Sequence, residues 1–190
     1  MILTDNPVVG LVFRITSPRY GDLSRTAQTS RSFPGRFNTA SLGAVYASRE
    51  PQTAIKELRR RAARDRVSLG DMHPRSIFGL DLALQAVVDL TTPEQLDAWG
   101  LTPNDLVDES MERCREVAEV AVEAGVEAIR WPSASGAGQS FAIFIERLRA
   151  GSHIKIETTI DVTRQMLAAL ERGESVLQLL PALANLPLVS

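Results

Sequence analysis

The chain has one cysteine, two histidines and almost no net charge, and each shortage excludes something. Cys114 has no second thiol to pair with, so nothing points to an oxidising compartment. His73 and His153 stand far apart without metal-ligand spacing around them, so the expected metal is none. No stretch of about 18 uninterrupted apolar residues occurs, and no transmembrane helix is expected. The N-terminal MILTDNPVVGLVFRI lacks a basic segment and carries Asp5 early, which argues against a secretory signal and for a cytoplasmic chain. With 21 basic against 23 acidic residues, no overall field draws the chain to nucleic acid or to an anionic membrane. A local basic patch can still hide inside such a total. Internal repeats and low-complexity tracts are also missing.

What is there suits one domain: 190 residues, 44 % of them hydrophobic, enough for a sizeable core. Residues 9–15 read as a first strand. Residues 16–43, rich in Ser, Thr, Arg, Gly and Pro, read as a long polar loop, a kind of segment that is often functional. AVYAS, 44–48, is strand-like. A helix follows, with Ser48 as its cap, Glu50 in its first turn, Pro51 tolerated there, and Ala54, Ile55, Leu58 and Ala62 at helical spacing. Glu57 lies at the edge of that apolar stripe. Residues 76–90 read as two short strands or one bent one, and 92–100 as a short helix stopped by Gly100.

The 108–125 stretch predicts a helix with Met111, Cys114, Val117, Ala118, Ala121 and Val122 on one face and Gly125 at its end. Residues 126–131 read as a strand, 132–138 as a small flexible loop, 140–146 as a central strand, 153–160 as an edge strand and 161–180 as helix. Strands not separated by helices favour α+β over a doubly wound sheet.

Four segments hold polar residues where a buried polar site would want them: Arg14 on the first strand; Arg36, Asn38 and Tyr46 in PGRFNTASLGAVYAS; Glu57 on the next helix; and Ser133 and Ser140 around a Gly-rich loop in WPSASGAGQSF. Taken singly, each has a plain alternative. Arg14 or Arg36 is a surface cation, Asn38 a turn residue, Tyr46 core packing. Glu57 is a helical surface charge with Arg61 as its i,i+4 partner, worth about 0.3–0.5 kcal/mol. Ser133 simply begins a turn.

Taken in order, PGRFN, VYAS, TAIKE and PSASGAGQSFAIF, with VVDLTTPEQLDAWGL between, resemble the RES domain over about residues 10–147. The resemblance implies a fold similar to that of ADP-ribosyltransferases: a single α+β domain of mixed sheets flanked by helices. It implies a toxin of a bacterial toxin–antitoxin pair that degrades NAD by phosphorolysis or hydrolysis at the nicotinamide–ribose bond. NAD is then substrate, with no bound cofactor. Phosphate or water is the acceptor, and a helix-turn-helix antitoxin that itself binds DNA is the partner.

That chemistry suits these residue types. Arg matches phosphate in a bidentate fork, so Arg14 and Arg36 are candidates for the diphosphate. A carboxylate stabilises an oxocarbenium-like ribose, which is the role implied for Glu57. Tyr46 and Ser133 would hold the ribose or the carboxamide. The catalytic candidates are thus Glu57, Arg36, Tyr46 and Ser133, and the substrate-binding candidates Arg14, Asn38 and Ser140. The chain departs from the family pattern at Pro34, in place of Gly, at Phe37, in place of Trp, and at Ser140, where many members carry Asn.

The expected division is a RES domain over 1–160 and a C-terminal helical extension over 161–190, which covers the core or self-associates into a homo-oligomer. Trp131 is expected in the core beside the site loop, and Cys114 as a buried inert thiol. One rival shares the site and passes ADP-ribose to a protein. Another uses the arginine helix KELRRRAARDR, 56–66, to bind nucleic acid. The near-neutral charge and the carboxylate in the motif set favour an enzyme with neither direct DNA binding nor membrane contact.

Overall fold

Alternating apolar residues on the first strand decide how the molecule is layered. Val8 and Val12 are buried in one core cluster, while Leu11 and Phe13 are buried in another, as a pleat with helices on both faces requires. The computed structural model describes residues 6–136, 138–186 and 189. Asp5 and its neighbours, Ala137 of the site loop and three of the last four residues lie outside them.

Seven strands make up the sheet: β1 (Val8–Thr16), β2 (Val45–Ser48), β3 (Arg75–Leu84), β4 (Val87–Asp89), β5 (Ala128–Pro132), β6 (Gln139–Ile143) and β7 (His153–Val162). Their order is β4-β5-β6-β2-β1-β3-β7. β4 and β5 run parallel, and the other neighbouring pairs run antiparallel. The α+β class holds, with all seven strands in one mixed sheet rather than in separate sheets. β6 lies inside the sheet and β7 at its edge, as their continuous and alternating patterns predict. The 76–90 segment is two strands.

Helices α1 (Leu23–Ser32), α2 (Pro51–Asp65), α3 (Pro93–Ala98), α4 (Glu112–Glu123), α5 (Arg164–Glu171) and α6 (Val176–Leu179) cover the sheet. One cluster joins Ala27 of α1 to Val45, Ala47, Phe78 and Phe141. A second joins α3 and α4 to Phe37, Ile129, Trp131 and Ala142. A third joins Ile55, Leu58 and Ala62 of α2 to Leu11, Phe13, Leu167, Leu170 and Val176. The C-terminal helices therefore share a core with β1 and α2.

Three local expectations need correction. The 16–43 stretch is not all loop: α1 lies within it, with the Asp22 side chain accepting from Arg25 N at 3.0 Å. Ser48 ends β2 and does not cap α2; Glu50 takes the cap position without a side-chain cap bond, and Pro51 opens the helix. The helix expected from 108 begins at Glu112, because Met111 sits in the left-handed region at φ 56°. Gly125, at φ 84°, ends the turn after that helix, where a side chain would be strained.

Candidate active site

The register lays a row across the sheet: Phe13 opposite Ser48, Ser48 opposite Ser140, and Ser140 opposite Trp131. Paired residues point to the same face. The row thus runs from the α2-side cluster to the α4-side cluster, with two buried serines at the seam. Above this seam α2 starts. Thr53 and Glu57 lie one turn apart on it, facing the same way.

Opposite α2 comes the β5–β6 loop. Gly138 packs so closely on α2 that a Cβ there would lie 2.2 Å from Thr53 Oγ1, and its φ is +76°. Only glycine allows this approach. The loop thereby brings Ser133, buried at 6 % exposure, onto half-buried Glu57. Ser133 Oγ donates to Glu57 Oε1 at 2.5 Å, a link between residues 76 apart in sequence. Ser133 Oγ also lies 2.7 Å from Ser135 Oγ and accepts from Ser135 N at 3.1 Å. The plain alternative for Glu57 does not occur: Arg61 pairs with Asp65 at 3.5 Å instead.

The PGRFN segment is built differently. Asn38 is fully buried. Its Oδ1 accepts from Gly35 N at 2.7 Å and from the Tyr46 hydroxyl at 2.9 Å, and its Nδ2 donates to Ser30 O at 2.9 Å. The Tyr46 hydroxyl also accepts from Phe37 N at 2.9 Å. Burial pushes the Tyr46 phenol far above its ordinary range, although the Phe37 N–H, Arg115 and Arg36 oppose this; it remains a neutral hydroxyl. Arg36, 8 % exposed, donates from one terminal nitrogen to Asp105 O at 2.8 Å and Asp108 O at 2.9 Å. Arg115 holds the carbonyls of Gly35 and Pro34 at 3.0 and 3.2 Å. Trp131 is buried, 4.7 Å from the Phe37 ring centroid and 6.1 Å from that of Tyr46. Phe37 thus keeps the aromatic packing of this position. Buried Cys114 donates to Asp105 O at 3.3 Å, and burial raises its thiol pKa.

Arg14 stands apart from both groups. It pairs with Phe78, so the pleat places it on the face opposite Phe13 and Ser48. One terminal nitrogen, NH1, is buried without a hydrogen-bond partner, and burial lowers the guanidinium to about 10. It stays charged at neutral pH, and a charged buried donor without a partner is costly.

The structure thus brings Glu57 and Ser133 into contact, with Ser140 in the strand floor beside them. It joins Tyr46 to Asn38 and Phe37, and Arg36 to the 105–108 loop. Sequence reasoning missed Ser135, Thr53 and Arg115. Two serines flanking Ala134 gave a weak signal for Ser135, Thr53 opens the TAIKE motif without having been singled out, and Arg115 had no signal. Among the described residues, no cluster of three or more His, Cys, Asp or Glu could hold a metal, and no helix is long and apolar enough to cross a membrane.

A family model, the RES domain, matches residues 11–165. The chain belongs to the RES domain family. Two mycobacterial relatives, from Mycobacterium tuberculosis strain H37Rv and from Mycobacterium bovis, are each named NAD(+) phosphorylase MbcT. Each is 27 % identical over 154 residues, covering 78 % of this chain and 82 % of its own length. The crystal structure of the M. tuberculosis MbcT–MbcA toxin–antitoxin complex matches with a TM-score of 0.73 at 23 % identity, over 86 % of this chain and 90 % of that one. The RES fold is thus shared with a solved toxin.

Proposed function

We propose that this RES protein breaks the nicotinamide–ribose bond of NAD and passes the ADP-ribose to inorganic phosphate, acting as a toxin in the cytoplasm. The observation that carries this is the Glu57–Ser133 hydrogen bond, which places a carboxylate held in one orientation at a partly open polar seam. The family, and relatives named as NAD(+) phosphorylases, supply the substrate and the acceptor.

The bond to be broken joins a pyridinium nitrogen to C1 of a ribose. Its electron pair leaves with nicotinamide, whose ring thereby becomes neutral, so the leaving group needs no proton. Positive charge builds instead on the ribose ring oxygen and C1. The Glu57 carboxylate stabilises that charge where it develops, and a prealigned group costs little reorganisation at the moment of reaction. Ser133 fixes the carboxylate's rotamer. A phosphate oxygen then bonds to C1, giving ADP-ribose 1-phosphate, while water in its place would give ADP-ribose.

Arg14, a buried cation with an unpartnered donor, lies on the sheet face opposite the Glu57–Ser133 pair, and no substrate contact is assigned to it. Ser140 is assigned to the floor of the site. Arg36, Asn38 and Tyr46 are assigned to hold the wall of the site, since the hydrogen bonds described above tie them to the protein. A partner protein that covers the seam would silence the toxin, by analogy with the MbcT–MbcA pair; a helix-turn-helix antitoxin is the partner assigned here.

Chromatography of NAD incubated with the chain tests this reading. Nicotinamide plus an ADP-ribose phosphate ester, formed only in phosphate buffer, is expected. Plain ADP-ribose in both buffers would replace phosphate by water as acceptor. Intact NAD in both buffers would refute the reading and turn the search to protein modification.

A further inference from the structure

Beside the Glu57–Ser133 pair lies an open cleft of about 320 Å³, lined by Arg49, Glu50, Thr91, Pro132, Gly138 and Gln139. It sits at the carboxyl ends of the parallel strands β4 and β5, outside which open sheets commonly bind ligands. Two of its lining side chains carry buried polar atoms with no hydrogen-bond partner: Nε of Arg49 and Oε1 of Gln139. The two residues are locked together by their backbones, Arg49 N donating to Gln139 O at 2.8 Å, yet these side-chain atoms do not pair with each other. Gly138, pinned on Thr53, fixes the approach of Gln139. Glu50 stands at the N-cap of α2, but its side chain makes no cap bond.

Buried orphan groups cost stability unless something else satisfies them. Here the buried orphans are one guanidinium donor and one neutral acceptor, and beside them at the rim stands one carboxylate acceptor that makes no cap bond. A bare anion would use only the first and be repelled by Glu50. A ribose phosphate uses all three: the guanidinium takes the phosphate, and the two acceptors take sugar hydroxyls.

We propose that Arg49, Glu50 and Gln139 form a ribose-phosphate subsite that takes the part of the dinucleotide remote from the reacting ribose and selects it by its free hydroxyls. The assignment rests on the NAD reading above. A carboxylate facing sugar hydroxyls also repels a phosphate placed on one of them, so the subsite favours NAD over its 2′-phosphorylated form, NADP. None of the three residues belongs to the motif set that points to the reacting centre.

Steady-state kinetics on NAD and NADP, with ADP-ribose binding by calorimetry, test the subsite in the wild type and in Arg49→Gln, Arg49→Lys and Glu50→Gln. Arg49→Gln is expected to raise the KM for NAD about tenfold with kcat within about twofold, since binding remote from the reaction is lost from ground and transition states alike. It should weaken ADP-ribose by the same factor, with Arg49→Lys in between. Glu50→Gln is expected to narrow the preference for NAD over NADP at least about fivefold.

An unchanged KM for NAD and unchanged ADP-ribose affinity in Arg49→Gln would overturn the subsite, as would a raised KM for phosphate alone, which would make the cleft an acceptor site or a water pocket. If the wild type consumes no NAD, the functional reading falls. ADP-ribose binding then decides the subsite separately, a loss in Arg49→Gln supporting it and equal binding overturning it. Should Arg49→Gln fail to fold, Arg49→Lys and Glu50→Gln carry the same readouts.

Discussion

Two polar regions flank the same aromatic packing around Trp131, and they use their hydrogen bonds in opposite ways. Around Asn38 and Tyr46 the side-chain groups are spent inward: the amide of Asn38 holds Gly35, Tyr46 and Ser30, the phenol holds Phe37, and Arg36 clamps the 105–108 loop. Around Glu57 the carboxylate has a serine at Oε1 and lies half open. Beside it, Arg49 and Gln139 leave atoms unpaired. Both regions carry motif residues of the RES family. The difference teaches that a motif residue can be there to build the wall of a site or to face the substrate, and the hydrogen-bond inventory tells which.

Substitutions in the two regions should therefore fail in different ways. Asn38→Ala strands several buried partners and should cost about 2–4 kcal/mol of stability, a drop in melting temperature of roughly 5–10 °C in a scan. NAD turnover per folded molecule should survive. A normal melting temperature with lost turnover would move Asn38 to the substrate side. Ser133→Ala should do the reverse: turnover down about 10–100-fold from loss of the carboxylate's orientation, with the melting temperature nearly unchanged. Equal turnover would break the distinction.

Tyr46→Phe removes one hydroxyl from the wall and should cost about 1–2 kcal/mol in urea denaturation; a change confined to the KM for NAD would assign Tyr46 to substrate.

The smallest effect concerns a buried carboxylate far from both regions. Burial alone would raise the Glu127 pKa, but the backbone N–H donors of Arg149, Ala86 and Gln85 hold it below its ordinary 4.5. A folded-state pKa below the unfolded value means stability present above about pH 4.5 and lost as pH falls through the lower folded value. Glu127→Gln should be less stable than wild type at pH 7, and the gap should narrow below about pH 4.5. A gap independent of pH would show that the charge contributes nothing.

The sequence reading recovers most of the strands because hydrophobic alternation is local. β7 shows its edge character in HIKIETTI, and β6 its interior position in SFAIFIE. Glu57 and Ser133 are legible as motif members in a fixed order, although the bond between them depends on Gly138 closing the loop onto Thr53. Helix α1 escapes because LSRTAQTSRS buries only Thr26 and Ala27, too narrow a stripe for periodicity to reveal. The clamp made by Arg36 escapes because its carbonyl partners lie 69 and 72 residues further along the chain. Arg14 is legible as a strand residue, but its orphaned nitrogen follows from the packing around it. Ser48 misleads because a serine before a proline-led helix imitates a cap.

The account's central claim is that the Glu57 carboxylate stabilises the ribose as nicotinamide departs. The most direct test is nicotinamide release by Glu57→Gln at saturating NAD and phosphate, with the melting temperature measured alongside. The account predicts a rate at least about 100-fold below wild type in a protein that melts normally. A normally folded variant that releases nicotinamide at close to the wild-type rate would contradict it.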